Sequence, residues 1–136
     1  MPDASFIDTN IWIYAHLREP GDTRHSRALA LVEQLQEYVI SPQVVLEYYN
    51  VMLRNQRDDR WIQQNLSRIL EYVRLQPIGR DVVQRTWTIR QRFGFSIWDS
   101  QILAAALMAG CTRLYSEDLQ HGQRIDSLTI INPFEE

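Results

Sequence analysis

Two groups of carboxylates follow short apolar segments of the chain, in positions where carboxylates can do chemistry. Asp8 comes directly after the apolar run 5–7, and Glu117 and Asp118 come just after a second run at 113–115. In an open parallel sheet, ligands bind beyond the carboxyl ends of the strands. Carboxylates placed there can hold a hard cation such as Mg²⁺ or attack a phosphoryl group as nucleophiles.

Each of these acids also has an ordinary structural explanation. Asp8, followed by Thr9 and Asn10, matches the residue types that cap the first turn of a helix. Glu117 and Asp118 are of types that are common in turns. The residues by themselves therefore leave both the chemical and the structural interpretation open.

Two further acids lie within predicted helices. Ser96 and Asp99 have the spacing of a capping box, in which a hydroxyl and an acid three residues later satisfy backbone N–H groups. An acid in the first turn of a helix still projects from the strand-end side of the domain. Glu47 shares a polar stripe with Gln43 and Asn50, which is typical of a solvated helix face. It contributes to a site only if that stripe faces the other acids.

Short apolar segments alternate with amphipathic segments along the chain, which predicts an α/β fold with a parallel sheet covered by helices on both faces. One helix opens at Ser41 and Pro42, a preferred N-cap residue followed by proline at the first helical position. The last helix ends at Gly110, a residue suited to the C′ position. The predicted strands are 5–7, 38–40, 75–78, 113–115 and 128–131, and the remaining helices are 10–16, 24–37, 59–73, 81–93 and 97–109.

The composition excludes several classes of protein. All 14 basic residues are arginine, so the chain lacks the lysine that Walker-type phosphate loops and Schiff-base enzymes require. Cys111 is the single cysteine, which excludes an internal disulfide and a cysteine-rich zinc site. The formal net charge is −3, so a nucleic-acid partner needs a local feature or a metal ion to bind.

The organisation of the chain predicts one cytoplasmic domain. The 136 residues contain no internal repeat and no linker, and a domain usually has roughly 100–200 residues. The sequence does not open with the basic start and apolar stretch of a signal peptide. Its longest apolar run, 102–109, is far shorter than the roughly 18 residues that cross a membrane.

Taken in order, the acidic motifs resemble those of a PIN-domain ribonuclease, and most of all those of the VapC toxins of bacterial toxin–antitoxin pairs. The resemblance extends from residue 5 to about residue 131. It is carried by Phe6-Ile7-Asp8-Thr9-Asn10, by the spacing of Glu47, by Trp98-Asp99-Ser100-Gln101-Ile102-Leu103-Ala104-Ala105-Ala106, and by Leu114-Tyr115-Ser116-Glu117-Asp118-Leu119.

The resemblance implies a single PIN domain over residues 1–136, with a five-stranded parallel sheet of order 3-2-1-4-5 and a site of four acids. The matching catalytic acids are Asp8, Glu47, Asp99 and Asp118. Three of them are the expected metal ligands: Asp8, Asp99 and Asp118. Supporting positions are matched by Asn10, Ser116 and Glu117. Because Glu117 stands beside Asp118, the sequence leaves open which of the two reaches the metal.

The implied activity is that of a Mg²⁺- or Mn²⁺-dependent endoribonuclease. Such a metal lowers the pKa of a bound water and neutralises charge on the phosphate oxygens. It thereby supplies the positive charge that an acidic protein lacks. Without metal, four neighbouring carboxylates repel one another, and some should take up protons near neutral pH. The implied partners are an RNA substrate, a cognate antitoxin and a second copy of the chain in a homodimer.

Two other functions stay open. One is a catalytically silent α/β binding module whose acids are helix caps and turn formers. The other is a phosphotransfer enzyme with Asp8 as its nucleophile. Enzymes of that kind usually need a second aspartate two residues on or an essential lysine, whereas this chain has asparagine at position 10 and no lysine.

Two sets of residues invite a role in RNA binding. Arg85 and Arg92, seven residues apart, could share a helix face and guide the RNA backbone, or they could be solvated surface charge. Aromatic residues within periodic apolar segments are expected in the core instead, and this applies to Trp12, Tyr48, Tyr49, Trp61, Trp87 and Trp98.

Overall fold

The computed structural model describes residues 3–34 and 36–135. Helices and strands alternate along it in the predicted order. The helices are α1 (Thr9–His16), α2 (Arg24–Val32), α3 (Pro42–Arg54), α4 (Asp59–Tyr72), α5 (Arg80–Phe93) and α6 (Ile97–Met108). The strands are β1 (Ser5–Ile7), β2 (Tyr38–Ile40), β3 (Arg74–Leu75), β4 (Arg113–Tyr115), β5 (Arg124–Ile125) and β6 (Leu128–Ile131).

The predicted parallel sheet is present, with β1 at its centre. The strand order is β3-β2-β1-β4-β6-β5, and β1 pairs in parallel with both β2 and β4. β6 runs parallel to β4 and takes the position beside β4 that is expected of the fifth strand. The expected count of five strands is wrong by one, because β5 adds a strand antiparallel to β6. β5 has two residues, too few for a hydrophobic period to show in the sequence.

The central strand is covered on both faces. Ser5, Phe6 and Ile7 are all buried. Successive side chains of a strand point to opposite faces of the sheet, so neither face of β1 is open to water. This arrangement is typical of parallel sheets packed between helices, and it leaves the strand ends as the accessible edge.

Helix α2 is shorter than predicted. It ends at Val32 instead of continuing to residue 37; position 35 of that predicted helix lies outside the described residues. The Tyr38 hydroxyl donates a hydrogen bond of 2.5 Å to the carbonyl oxygen of Leu31. The first residue of β2 thus binds a carbonyl in the last turn of α2, so the chain must leave the helix early to enter the sheet.

The two predicted helix boundaries behave differently. Gly110 has a φ of 77° and donates to the carbonyl of Leu107, while Cys111 donates to that of Ala106; this pair of bonds is a Schellman motif. Ser41 occupies the N-cap position of α3 in an extended conformation, but its hydroxyl makes no capping bond. Within the described part of the chain, every helix is too short or too polar to span a membrane.

Candidate active site

Asp8 is placed by the junction of β1 and α1. Its backbone N–H donates to the carbonyl of Tyr115 at 3.0 Å, which continues the pairing of β1 with β4. Its carboxylate accepts from the N–H of Thr9 at 2.7 Å, so Asp8 is the N-cap of α1 as its neighbours predict. The residue is only 8% exposed. A cap alone does not require burial, because most capping acids lie at the surface.

Burial changes the acidity of Asp8. It raises the pKa of the carboxyl from its ordinary 3.8 to about 6, against the opposing effect of hydrogen bonds from Thr9 and Ser116. The charges of Asp118 and Glu47 raise this pKa further. The predicted repulsion among the acids is therefore present, although removal from water is the larger cause. A buried carboxylate with this pKa is poised to exchange its proton for a cation near neutral pH.

Ser116 links the first acid to the last. Its hydroxyl donates to Asp8 Oδ2 at 2.8 Å and accepts from the backbone N–H of Asp118 at 3.3 Å. The Asn10 side chain donates to both carboxylate oxygens of Asp118, each at 3.4 Å. Two of the three predicted supporting residues, Asn10 and Ser116, thus hold the two acids that follow β1 and β4.

Glu47 reaches the same region from α3. The inner face of this helix is formed by Val44, Tyr48 and Met52, which places the polar stripe on the outside. The carboxyl of Glu47 is partly shielded from water although the residue as a whole is exposed, and this shielding raises its pKa, as do the charges of Asp118 and Asp99. A hydrogen bond from Gln43 acts in the opposite direction. The stripe therefore faces the other acids.

Asp99 joins the cluster from the first turn of α6. Its backbone N–H donates to the Ser96 hydroxyl at 3.1 Å, so Ser96 is the predicted N-cap. The charge of Asp99 raises the pKa of both Glu47 and Asp118, which places its carboxylate near theirs. The capping position and the place in the cluster are compatible.

Glu117 is next to the cluster, since its charge also raises the pKa of Asp118, but its carboxylate is bound by other partners. Its carboxylate accepts from the Tyr14 hydroxyl at 2.7 Å and from Arg24 at 3.0 Å. Arg24 also pairs with Asp22 at 2.8 Å. Glu117 thus shares the positive charge of Arg24 with Asp22, whereas Asp118 is held by Asn10 beside the other acids. Of the two neighbours, Asp118 is the fourth member of the cluster.

The donor set of the cluster consists of carboxylate oxygens, which suit hard cations such as Mg²⁺ and Mn²⁺. Among the residues that the structure describes, Asp8, Glu47, Asp99 and Asp118 form no ion pair with a basic side chain. Within 3–34 and 36–135, no three acidic, histidine or cysteine side chains lie close enough to enclose a metal ion as they stand. The acids form an open cluster with unbalanced negative charge.

Two expectations outside the cluster have different outcomes. Arg85 and Arg92 share a face of α5 as predicted, and both pair with Asp126, at 3.5 and 3.0 Å. The expectation that the aromatic residues are in the core is wrong for Trp87 and Trp98, which are 60% and 64% exposed. The exposure of Trp98 could not be predicted because α6 is apolar on nearly every side. The hydrophobic periodicity of this helix therefore does not indicate which face is exposed.

Comparison with known proteins identifies one family. A model of the PIN domain matches residues 5–125 of the chain. No curated protein matches it. Several solved structures share its fold.

Three of these structures are compared with this chain by sequence identity, TM-score and the share of each chain that is covered. VapC20 of Mycobacterium tuberculosis, a toxin that cleaves the sarcin-ricin loop, is 22% identical with a TM-score of 0.65, over 82% of this chain and 88% of that one. A toxin–antitoxin complex from Klebsiella pneumoniae is 21% identical with a TM-score of 0.72, over 97% and 99%. FitAcB from Neisseria gonorrhoeae is 16% identical with a TM-score of 0.66, over 97% and 99%.

We predict that Asp8→Asn stabilises the metal-free protein, and does so more near pH 8 than near pH 4. The folded pKa of about 6 exceeds the ordinary 3.8, so ionisation of Asp8 destabilises the fold increasingly between these two values and fully above the higher one. The amide removes this cost. At 1.36 kcal/mol per pKa unit, the gain in unfolding free energy near pH 8 is on the order of 1–3 kcal/mol.

Thermal unfolding in the presence of EDTA at both pH values measures the effect. Asp3→Asn is the matched control, because it makes the same chemical change at an exposed acid. A stability gain for Asp8→Asn that is equal at the two pH values would contradict the prediction.

Proposed function

The chain belongs to the PIN domain family, and from this premise we propose that it is a metal-dependent endoribonuclease, the toxin of a toxin–antitoxin pair. The proposed reaction is hydrolysis of RNA phosphodiester bonds. The observation that supports it most is the convergence of four acids from separate parts of the chain around the buried Asp8. The alternative, a silent binding module whose acids are caps and turn formers, accounts for the positions of Asp8 and Asp99 at helix N-termini but not for the burial of Asp8.

The proposed metal ligands are Asp8, Asp99 and Asp118, with Glu47 as the fourth catalytic acid. Bound Mg²⁺ or Mn²⁺ supplies Lewis acidity and lowers the pKa of a coordinated water. The chain's own residues orient the acids: Ser116 and the Thr9 N–H fix Asp8, and Asn10 fixes Asp118. Uptake of a cation also relieves the repulsion that raises the pKa of these carboxyls.

The proposed setting and partners follow from the same family membership. We propose a single cytoplasmic domain over residues 1–136, RNA as substrate, an antitoxin as inhibitor and a homodimer as the assembled form. VapC20 of Mycobacterium tuberculosis is a toxin that cleaves the sarcin-ricin loop, and the neighbour from Klebsiella pneumoniae is a toxin–antitoxin complex. These neighbours support the proposal by analogy of fold.

The proposed antitoxin lies along apolar helical surface and places a basic side chain among the acids. A cavity of about 590 Å³ between α1, α2 and α4 offers such a surface, with Trp12, Leu29 and Ile69 in its walls. Arginine suits the acid cluster because its planar fork pairs with carboxylates at two points.

A first prediction separates the two neighbouring acids. Asp118→Asn should reduce Mn²⁺-dependent RNA cleavage by on the order of 10²-fold or more, the usual size of a lost electrostatic contact in an active site. Glu117→Gln makes the same chemical change one residue earlier, at a carboxylate already bound by Arg24 and Tyr14, and should keep most of the activity. Cleavage of a labelled single-stranded RNA with and without Mn²⁺ is the measurement.

A second readout of these variants does not depend on turnover. Mn²⁺ should raise the melting temperature of the wild type and of Glu117→Gln, and should do so much less for Asp118→Asn, since a ligand stabilises the state that binds it. Equal activity and equal Mn²⁺ stabilisation in the two variants would be evidence against the proposed metal site.

A second prediction concerns Asp99 as metal ligand and as capping residue. Asp99→Glu keeps the charge and the backbone N–H that Ser96 caps, so the melting temperature should stay near that of the wild type. One methylene moves the carboxylate by more than about 1 Å, a misplacement that can cost on the order of 10²-fold in rate. Ser96→Ala is the counterpart: it should lose about 0.5–2 kcal/mol of stability but keep the carboxylate. Normal cleavage by Asp99→Glu at limiting Mn²⁺ would leave Asp99 as a cap only.

A third prediction tests the mode of inhibition. The protein encoded beside this gene, purified with the chain, should inhibit cleavage through one basic residue. Its replacement by glutamine should weaken inhibition at least about tenfold, the equivalent of one charge-assisted hydrogen bond, while the two proteins still associate through apolar surface. Undiminished inhibition after the replacement would reject direct occlusion of the acids.

A further inference from the structure

Two large apolar side chains are exposed beside the acid cluster. Trp98, directly before Asp99, is 64% exposed, and Leu46, directly before Glu47, is 68% exposed. The rest of α6 from Ser100 to Ala106 is mostly buried. Neighbouring exposed apolar side chains next to a candidate active site indicate a surface that binds a ligand or a partner.

The same two residues line a cavity between α3 and α6. The cavity has a volume of about 640 Å³, and its walls include Gln43, Glu47 and Gln101. Sites for small organic groups have roughly 300–1,000 Å³ and apolar walls with a few polar groups. Because Glu47 belongs both to this cavity and to the acid cluster, a group bound in the cavity lies next to the carboxylates.

The polar wall is fixed by hydrogen bonds between the two helices. Gln101 Nε2 donates to Gln43 Oε1 at 2.5 Å, and Gln43 Nε2 donates to the backbone carbonyl of Trp98 at 3.3 Å. Side-chain amides carry donors and acceptors together, which are the groups that read the edges of unpaired bases. The cavity therefore combines an aromatic face with amide groups.

We propose that this cavity binds a nucleobase of the RNA next to the cleaved phosphodiester, with the base stacked on the indole of Trp98. The inference rests on the proposed ribonuclease function and makes Trp98 a specificity-determining residue. A protein with a net charge of −3 gains little from general attraction to RNA, whereas stacking on an aromatic ring contributes affinity without charge. Glu47 lies in the wall of the cavity, so a base bound there would place its own phosphodiester beside the carboxylates.

The test compares three variants: Trp98→Ala, the conservative Trp98→Phe, and Trp87→Ala as the control at another exposed tryptophan. Truncation of the Trp98 side chain keeps two hydrogen bonds: the one from Gln43 to the backbone carbonyl of Trp98, and the one from the Asp99 N–H to the Ser96 hydroxyl. KM and kcat are measured with a labelled single-stranded RNA in Mn²⁺. Kd for the same RNA is measured by fluorescence anisotropy, without metal, in Asp8→Asn proteins that also carry each change.

Loss of one stacked base should raise KM and Kd roughly 5- to 100-fold in Trp98→Ala, with kcat changed little. Trp98→Phe should stay within about threefold of the wild type, since a smaller ring still stacks. Trp87→Ala should bind and cleave as the wild type does. RNAs that lack one base at a time around the cleavage point should lose affinity for the wild type at one position, and Trp98→Ala should lose nothing further there.

Two outcomes would overturn the proposal while the ribonuclease function stands. One is equal KM and Kd for Trp98→Ala and the wild type on an RNA that the wild type cleaves. The other is a change from dimer to monomer in Trp98→Ala, measured by light scattering, because the surface then belongs to a protein interface. If the wild type neither cleaves nor binds RNA, the ribonuclease proposal itself fails and the base site fails with it.

Discussion

The burial of one carboxylate at the end of the central strand organises this molecule. Hydrogen bonds from Thr9 and Ser116 favour the ionised form of Asp8 there, and those donors come from the start of α1 and the residue after β4. The parallel pairing of β1 with β4 is what brings them together. The ionised form of Asp8 thus lowers the stability of the folded protein. A residue that is retained at a cost in stability usually has a function.

Helix N-termini and the acid cluster share residues in this protein. Asp8 and Asp99 lie at or near helix N-termini, where backbone N–H groups and the helix dipole favour negative charge. That local benefit offsets part of the cost of gathering four acids in one place. The explanation of Asp8 as a helix cap is therefore correct, and the same capping bond helps to stabilise its charge in the cluster.

The sequence predicted the strand-end acids because chain connectivity and parallel topology alone decide their position. It left Glu47 undecided, since the direction of an exposed helix stripe depends on how α3 packs. It could not choose between Glu117 and Asp118, because the decision is made by Arg24, more than 90 residues away in the chain. Trp98 was assigned to the core because an apolar helix gives no sign of which side is left uncovered. In each case the outcome depends on how distant parts of the chain pack, and a local sequence pattern carries no information about that packing.

The opposite partners of Glu117 and Asp118 make the segment after β4 sensitive to its length. Glu117 is bound by Tyr14 of α1 and Arg24 of α2, and Asp118 lies among the other carboxylates, so the position of each acid along the backbone decides its partners. Substitutions in this segment alter one role at a time. A single-residue deletion ahead of Glu117 would bring Asp118 to the position that Arg24 binds and would leave Leu119 at the position among the carboxylates. Among related chains, loop lengths here should therefore vary less than the residues that fill them.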